Sequence, residues 1–368
     1  LAVTPYYEPE GGGLERYAHA ILSRLAGRGH DVRVLAFSKD GAATGTLDGV
    51  HVERRLPSLR LGNTPLHPAF ASEARREMRR HRPDVVVAHT PVPFPAEMAY
   101  RAARREGVPF AVTYHAGRLR GSTPLLDGLA ALDRATLERS MLAGSRGLIA
   151  VTPYVRDRAL ARQAGRVAVV PPGVDHARYR PNGLHRSEAG ILFVGPLDSS
   201  YRWKGLDVLL DAFARVRRRR PDATLTLVGR GDRAAGFRRK AEKDPALRVL
   251  GRLSDDALVR EYRRAAVLAL PSTTDAESFG MVLAEANACG APVVASRVGG
   301  IPCFVREGDN GLLAAPGDPR DLARALLHVL DHPDEARLMG ARGRRRVVAE
   351  HDWDDLARRT EAVLGDAC

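Results

Sequence analysis

The chain has 368 residues and a net charge of +13, from 57 lysines and arginines against 44 aspartates and glutamates. That length exceeds one ordinary hydrophobic core and calls for two domains, and no apolar run approaches the roughly 20 residues that a membrane-spanning helix needs. The three cysteines, Cys289, Cys303 and Cys368, are odd in number and lack metal-ligand spacing. Cys289 and Cys303 read as buried small apolar residues, Cys368 as a terminal thiol, and a reducing, cytoplasmic setting fits.

Nearly all the positive charge is arginine, the lysines being Lys39, Lys204, Lys240 and Lys243. The basic runs at 75–80, 215–220 and 342–346 fall on separate expected helices with no interleaved aromatics, so they read as solvated faces and nucleic acid is not expected as a partner. The first run is the one place where peripheral contact with the inner face of an anionic membrane is entertained. No signal-peptide pattern is visible, and the chain opens on Leu1 inside an expected strand, which implies a few residues ahead of it.

In chain order, residues 1–4 read as a strand end and 5–13 as a loop closing on Gly11-Gly12-Gly13. Residues 14–27 carry helical apolar spacing (Leu14, Tyr17, Ala18, Ile21, Leu22, Leu25), and 31–37 read as the next strand. This is a βαβ unit with an anion site at its loop, but it is not GxGxxG, so a dinucleotide fingerprint is not supported. Residues 41–65 read as irregular except for a strand at 50–52. A basic helix at 66–82, a strand at 84–89, a helix at 96–106 and a strand at 108–114 follow. That last strand ends on His115, at the carboxyl edge where open α/β sheets place ligands; His89, ending the neighbouring strand, is the weaker candidate. Residues 117–145 read as largely helical, 147–152 and 167–171 as strands, and Pro171-Pro172-Gly173-Val174-Asp175 as a stiff turn before a polar linker at 176–189.

The second half repeats the alternation. Strands are expected at 190–195, 223–229, 247–250 and 267–270, helices at 206–220, up to 243, at 255–265 and at 318–330, and a final helix at 354–364. A loop at 196–205 carries Arg202 and Lys204. The densest signal lies in 274–302, which reads as loop, helix, tight turn, strand and a second glycine turn. Ser278 is placed to cap a helix starting near Phe279, and Gly290 to end it. Glutamates at 277 and 285 flank a helix amino end whose backbone N–H groups suit a phosphate, an arrangement matched to a ligand with both hydroxyls and phosphates.

Glu277 and Glu285 at that spacing, with Phe279-Gly280 between them and Ala-Cys-Gly-x-Pro-Val-Val-Ala and Gly-Gly-Ile-Pro behind, resemble the donor-binding motif of family 4 glycosyltransferases, retaining enzymes of the GT-B fold. The resemblance implies an α/β protein of two Rossmann-like domains, 1–175 on the acceptor side and 176–350 on the donor side, with the ligand between the halves and a terminal helix, 351–368, crossing back onto the first domain. It implies that Glu277 contacts the transferred sugar's hydroxyls and that Glu285 holds the ribose. The backbone between them, at Phe279, Gly280, Met281 and Val282, would meet the diphosphate. It makes Lys204, in Tyr201-Arg202-Trp203-Lys204-Gly205, a cation on the diphosphate close to Gly195. Gly12 and Gly13 become the loop facing the donor phosphates, and His115, in VTYHA, approaches the sugar. The turn at Gly251-Arg252-Leu253 becomes the place of base recognition.

One position departs from the family. Its arginine after the strand-end glycine is Pro196 here, and Arg202 is the expected substitute. No Asp-x-Asp stands in a suitable strand-end loop, so neither metal nor cofactor is expected, and His115, Lys204 and Glu277 form the catalytic set. The expected reaction moves a sugar from a nucleoside-diphosphate sugar, UDP-linked before GDP-linked, to a hydroxyl on a glycan, a lipid or a small natural product. Two alternatives stay open: a nucleotide-sugar 2-epimerase on the same fold, and a non-catalytic basic adaptor for membrane or nucleic acid.

Overall fold

Short aliphatic runs closed by glycine or proline have become strands wherever the sequence shows them. The computed structural model describes residues 1–61, 64–116, 128, 134–183 and 187–368. By its internal contacts the chain divides into two units, Leu1–Pro172 with Trp353–Cys368, and Gly173–Asp352.

The first unit begins with β1 (Ala2–Thr4), α1 (Gly13–Gly27), β2 (Arg33–Phe37), β3 (Ala43–Leu47) and β4 (Val50–Arg55). It continues through β5 (Leu59–Leu61), β6 (Thr64–Leu66), α2 (Phe70–His81), β7 (Val86–Thr90), α3 (Pro95–Glu106) and β8 (Phe110–Tyr114). Of the helical stretch expected over 117–145, residues 117–127 and 129–133 lie outside the described residues. The remainder forms a π-helical turn, Arg134–Glu138, and α4 (Arg139–Gly144). Then come β9 (Gly147–Ala150), α5 (Pro153–Ala159) and β10 (Val167–Val169). The sheet runs β10-β9-β8-β7-β1-β2-β4-β3, parallel except for the β3–β4 pair. Two features depart from the reading. The stretch at 41–65 is not irregular but holds the β3–β4 hairpin, turned by Asp48 (φ 47°) and Gly49 (φ 79°), the two left-handed residues that a tight hairpin turn requires. Helix α5 was not expected at all; Thr152 caps it through Val155 N–H at 3.2 Å, with Pro153 in its first turn.

The second unit contains β11 (Gly190–Val194), a 3₁₀ turn (Ser199–Lys204) where a loop was expected, and α6 (Leu206–Arg219). Next are β12 (Thr224–Val228), α7 (Ala234–Ala241), β13 (Leu247–Gly251), α8 (Asp255–Arg264) and β14 (Val267–Leu270). The unit ends with α9 (Met281–Ala288), β15 (Val293–Ser296), α10 (Ile301–Phe304), β16 (Gly311–Ala314), α11 (Pro319–Asp331) and α12 (Pro333–Glu350). Its all-parallel sheet, β13-β12-β11-β14-β15-β16, has the doubly wound order in which strand succession reverses between β11 and β14. Alternation along β11 fills both faces: Ile191 and Phe193 enter one core cluster, Leu192 the other. The polar segment read as a linker belongs partly to this core, because Tyr179 is buried with its ring 6.0 Å from that of Tyr262.

The last helix, α13 (Trp353–Ala367), packs in the first unit. Trp353 lies 5.7 Å from the ring of Tyr17, Arg24 reaches Asp354 at 2.6 Å, and His30 reaches Glu361 at 2.7 Å. Cys289 is buried as expected, whereas Cys303 is only half-buried. Among the described residues no helix is long and apolar enough to cross a membrane.

One polar knot in the second unit is buried outright. Asn287 donates to Ala291 O at 2.8 Å and accepts from Asn310 Nδ2 at 2.8 Å, tying α9 to the loop before β16. Asn287→Leu strips partners from both groups, and a buried polar group without a partner costs about 1–3 kcal/mol. Urea unfolding of this variant is therefore expected to show a loss of about 2–4 kcal/mol; wild-type stability would contradict the assignment.

Candidate active site

The carboxyl ends of β11 and β14, where the second sheet's order reverses, collect most of the residues singled out in the sequence. Beyond β11 the chain passes Gly195, whose N–H donates to Val228 O at 3.0 Å, and Pro196 before the 3₁₀ turn that ends on Lys204. Beyond β14 it passes Ser272 and Thr273 toward Glu277. The two loops are sewn together, since Thr273 donates to Trp203 O through its N–H at 2.7 Å and its hydroxyl at 3.2 Å. Across this seam Lys204 Nζ donates to Glu277 Oε2 at 2.7 Å, and Ser272 Oγ donates to the same oxygen at 3.0 Å. Both partners of the ion pair are largely withdrawn from water, with side-chain exposures of 18% and 8%. Lys204 also stands 4.6 Å over the ring of Trp203. Among the described residues Glu277 Oε1 takes no hydrogen bond, so one carboxylate oxygen is committed to the protein and the other is available.

The helix after Glu277 starts later than expected. Its N-cap is Gly280, at φ 80°, and no side chain caps it, so Ser278 is not the cap. A Cβ at 280 would meet Leu270 Cδ2 at 2.7 Å and Leu283 Cδ1 at 2.9 Å, so the left-handed turn requires glycine. Ser278 is instead covered by the turn that follows β15. Gly300 N–H donates to Glu277 O at 2.8 Å, and a Cβ on Gly300 would fall 1.7 Å from Ser278 O. Without a side-chain cap, the first N–H groups of α9, at Met281 and Val282, are open to an anion.

Glu285 is not a solvated helix residue but is 4% exposed, and it accepts from Tyr262 Oη at 2.6 Å. Phe279 is a core anchor, packed on Phe304 (5.2 Å) and His351 (5.4 Å), so it offers a ligand its backbone rather than its ring. Arg252 is exposed and Leu253 half-buried just past β13; nothing among the described contacts draws them toward Lys204. Arg202 turns away too: it is 69% exposed and reaches Asp207 at 3.5 Å. Sequence reasoning missed Ser272, Tyr262 and Arg230. The backbone of Arg230 lies beside the Pro196 departure, its carbonyl accepting from Leu197 N–H at 2.8 Å. No local pattern announces any of the three, because each becomes relevant only through a neighbour brought in from another strand.

In the first unit, Gly12 is the N-cap of α1 and Gly13 its first residue; Gly12 N–H donates to Glu15 Oε2 at 2.7 Å. Burial raises the Glu15 carboxyl above the ordinary range. His115 sits past β8, its N–H donating to Thr90 O at 2.9 Å. Its ring is buried edge-on to Tyr17 (4.8 Å) and hydrogen-bonds through Nε2 to His89 Nδ1 at 2.9 Å. His89 is therefore the direct partner of His115. Burial lowers His89 to about 4. It lowers His115 well below its usual value, and the neighbouring imidazole adds to the effect. Both rings are neutral near pH 7, so His115 serves as a hydrogen-bonding group, not a cation. The basic run on α2 is partly neutralised, since Arg75 and Arg79 both bond Glu106. Among the described residues no group of three or more His, Cys, Asp or Glu is placed to hold a metal ion.

Residues 11–178 match the family described as Glycosyltransferase Family 4, and residues 188–332 the one described as Glycosyl transferases group 1. The D-inositol 3-phosphate glycosyltransferase of Rhodococcus jostii is 30% identical over 388 residues, covering 95% of this chain and 83% of that protein. The chain is a family 4 glycosyltransferase. A glycogen synthase of Mycobacterium tuberculosis is 29% identical over 382 residues, covering 96% of this chain and 90% of its own. Anabaena HepE, solved with UDP and glucose, matches at TM-score 0.76 and 20% identity over 99% of each chain, which shows the GT-B fold. This glycosyltransferase accordingly uses nucleotide sugars, and neither the 2-epimerase nor the adaptor alternative is favoured.

The neutral histidine pair has a measurable consequence. A histidine whose folded pKa is depressed contributes stability above its unfolded pKa of about 6.5 and loses it as pH falls toward the folded value. For His89, lowered to about 4, the loss from pH 7 to pH 5 is about 2 kcal/mol. With Trp203→Phe in the background, Trp353 fluorescence follows the first unit alone. Its unfolding midpoint should fall between these pH values, and His89→Leu should flatten the fall; an unchanged slope would contradict the assignment.

Proposed function

We propose that this glycosyltransferase moves a sugar, with retention at the anomeric carbon, from a UDP-sugar to a hydroxyl acceptor on a glycan, a lipid or a small natural product, in the cytoplasm. The observation that supports it most directly is the Lys204–Glu277 pair at the switch point of the second sheet, 2.7 Å across and almost dry, beside the uncapped amino end of α9. In this reading Glu277 Oε1 accepts from the sugar's hydroxyls while Ser272 and Lys204 fix the other oxygen. Lys204 is shared with the leaving diphosphate, and the N–H groups of Met281 and Val282 meet its phosphate oxygens. Glu285, oriented by Tyr262, takes the ribose, and the 251–253 turn lies toward the base. For His115 we keep a contact to the transferred sugar, made by a neutral ring.

The acceptor hydroxyl attacks from the face that the diphosphate leaves, and its proton passes to the departing phosphate oxygen, so no side-chain base is invoked. Charge neutralisation comes from side chains and a helix terminus, and no metal enters the proposal. UDP is favoured because the neighbouring structure of HepE holds UDP and glucose. Peripheral membrane contact is not needed, because Glu106 already offsets part of the basic run on α2. Arg230 rather than Arg202 is proposed as the cation beside Pro196, since its backbone is bonded to Leu197.

Release of UDP from a panel of UDP-sugars, with water standing in for the acceptor, tests these roles. Lys204→Ala and Glu277→Gln should each lower the rate about 100-fold or more, the size seen when one transition-state contact is removed. Arg230→Ala should slow it more than Arg202→Ala, and EDTA should leave it nearly intact. Wild-type rates in Lys204→Ala or Glu277→Gln would remove that residue from the site.

A further inference from the structure

Helices α6 and α11 pack side by side on one face of the second sheet and leave a groove of 590 Å³ between their exposed edges. From α6 come Arg215, Arg218 and Arg219, at the i, i+3, i+4 spacing of a single helix face. From α11 come Arg320, Arg324, His328 and Asp331, again on one face. Ala323 and Leu327 form the floor. Five guanidinium groups thus face one cavity whose single carboxylate, Asp331, is already bonded at 3.0 Å to Arg220 outside it.

Most arginines nearby are spoken for: Arg217 by Asp244, Arg220 by Asp222 and Asp331, Arg233 by Asp207. Within the groove the pattern reverses. Arg324 has Asp321, but among the described residues no carboxylate pairs with Arg215, Arg218, Arg219 or Arg320, and the buried Nε of Arg215 has no hydrogen-bond partner. Helix electrostatics accounts for only half of this. Arg218 and Arg219 close the last turn of α6, where a cation complements the helix dipole. Arg320, by contrast, stands in the first turn of α11, where the dipole disfavours it. An anion seated between the two helices offsets that repulsion and supplies acceptors for the guanidinium groups that no carboxylate pairs.

We infer that this groove is a second anion site, separate from the donor site, for a small soluble molecule carrying one or more phosphate groups. The volume lies within the roughly 300–1,000 Å³ range of small-molecule pockets. The donors are all arginine, whose planar fork matches phosphate oxygens in pairs. The lining contains no Phe, Tyr or Trp on which nucleic-acid bases could stack, and its one imidazole, His328, is already stacked on His332 and bonded to Glu335 at 3.0 Å. Its apolar members are confined to the floor, so no wedge is offered to a bilayer. The groove lies toward the carboxyl end of α6, whereas Lys204 directly precedes its amino end. Arg215, the groove residue of α6 nearest that end, stands about 14 Å along the helix axis from Leu206, farther than one pyrophosphate spans.

Titration of the whole protein with inorganic pyrophosphate by calorimetry tests the inference. We use three comparison variants: the exposed pair Arg320→Ala/Arg324→Ala, the pair Arg218→Ala/Arg219→Ala, and Lys204→Ala. The expected result is binding weakened about tenfold or more in both arginine pairs and retained in Lys204→Ala, with circular dichroism unchanged throughout. Binding lost in Lys204→Ala but kept in the arginine pairs would assign pyrophosphate to the donor site and overturn the inference, as would no binding at all. A parallel arm sediments the protein with phosphatidylglycerol vesicles. Arginine-dependent vesicle binding without pyrophosphate binding would make the groove a lipid-headgroup contact and overturn the soluble ligand.

Discussion

Lys204 and Glu277 are 73 residues apart in the chain and 2.7 Å apart in space, and most of the second unit's carboxyl edge is arranged to keep them so. Desolvating two opposite charges costs several kcal/mol per ion, which their attraction repays only with good geometry and further hydrogen bonds. Both are present: Ser272 completes Glu277 Oε2, and the Thr273–Trp203 bonds hold the two loops at fixed separation. Such a pair is a poor way to gain stability when an apolar pair would serve, so its retention at the reversal point of a doubly wound sheet is better explained by what it does to a ligand. The flush contact of Gly300 on the Glu277–Ser278 backbone and the left-handed Gly280 then aim the amino end of α9 at the same place.

The first unit solves a different problem with neutral groups. His89 and His115 are buried against Tyr17, and each ring is the other's hydrogen-bond partner, so that one donates while the other accepts. Burial keeps both uncharged across the physiological range. A neutral imidazole at a strand end orients a hydroxyl without adding charge, which suits the recognition of a sugar. Charge is concentrated instead where phosphate is expected, at Lys204 and in the arginine groove of α6 and α11.

Much of this was legible in the sequence because it is local. The aliphatic runs of β11, β12, β14 and β15, and the glycine or proline that closes the first three, depend on near neighbours, and the Glu277–Glu285 element carries its own turn chemistry. The hairpin at 43–55 is also locally written, in Asp48-Gly49 and in the strand expected at 50–52, although the exposed Ala43–Leu47 arm carries no apolar run, and α5 is locally written in Thr152-Pro153. What could not be read is contact across the fold. The spacing of Glu285 from Glu277 marks it as a ligand residue, but its burial and its Tyr262 partner, which comes from α8, have no local sign. Ser278 had the right chemistry for a cap, but the turn at Gly299-Gly300 claims its backbone. Arg202 was chosen by proximity in sequence to Lys204, yet Asp207, five residues on, is where its side chain goes. The Arg230 carbonyl meets Leu197 N–H, next to Pro196, only because β11 and β12 are neighbours.

The central claim is that the second unit holds the nucleotide through α9 and the carboxylates around it. Calorimetric titration of UDP into the wild-type chain and into Glu285→Ala tests it most directly, with GDP, ADP and TDP as comparisons. The account predicts micromolar binding of UDP, weakened about tenfold or more by the substitution while the circular dichroism spectrum is kept. Equal affinity in the two proteins would contradict it.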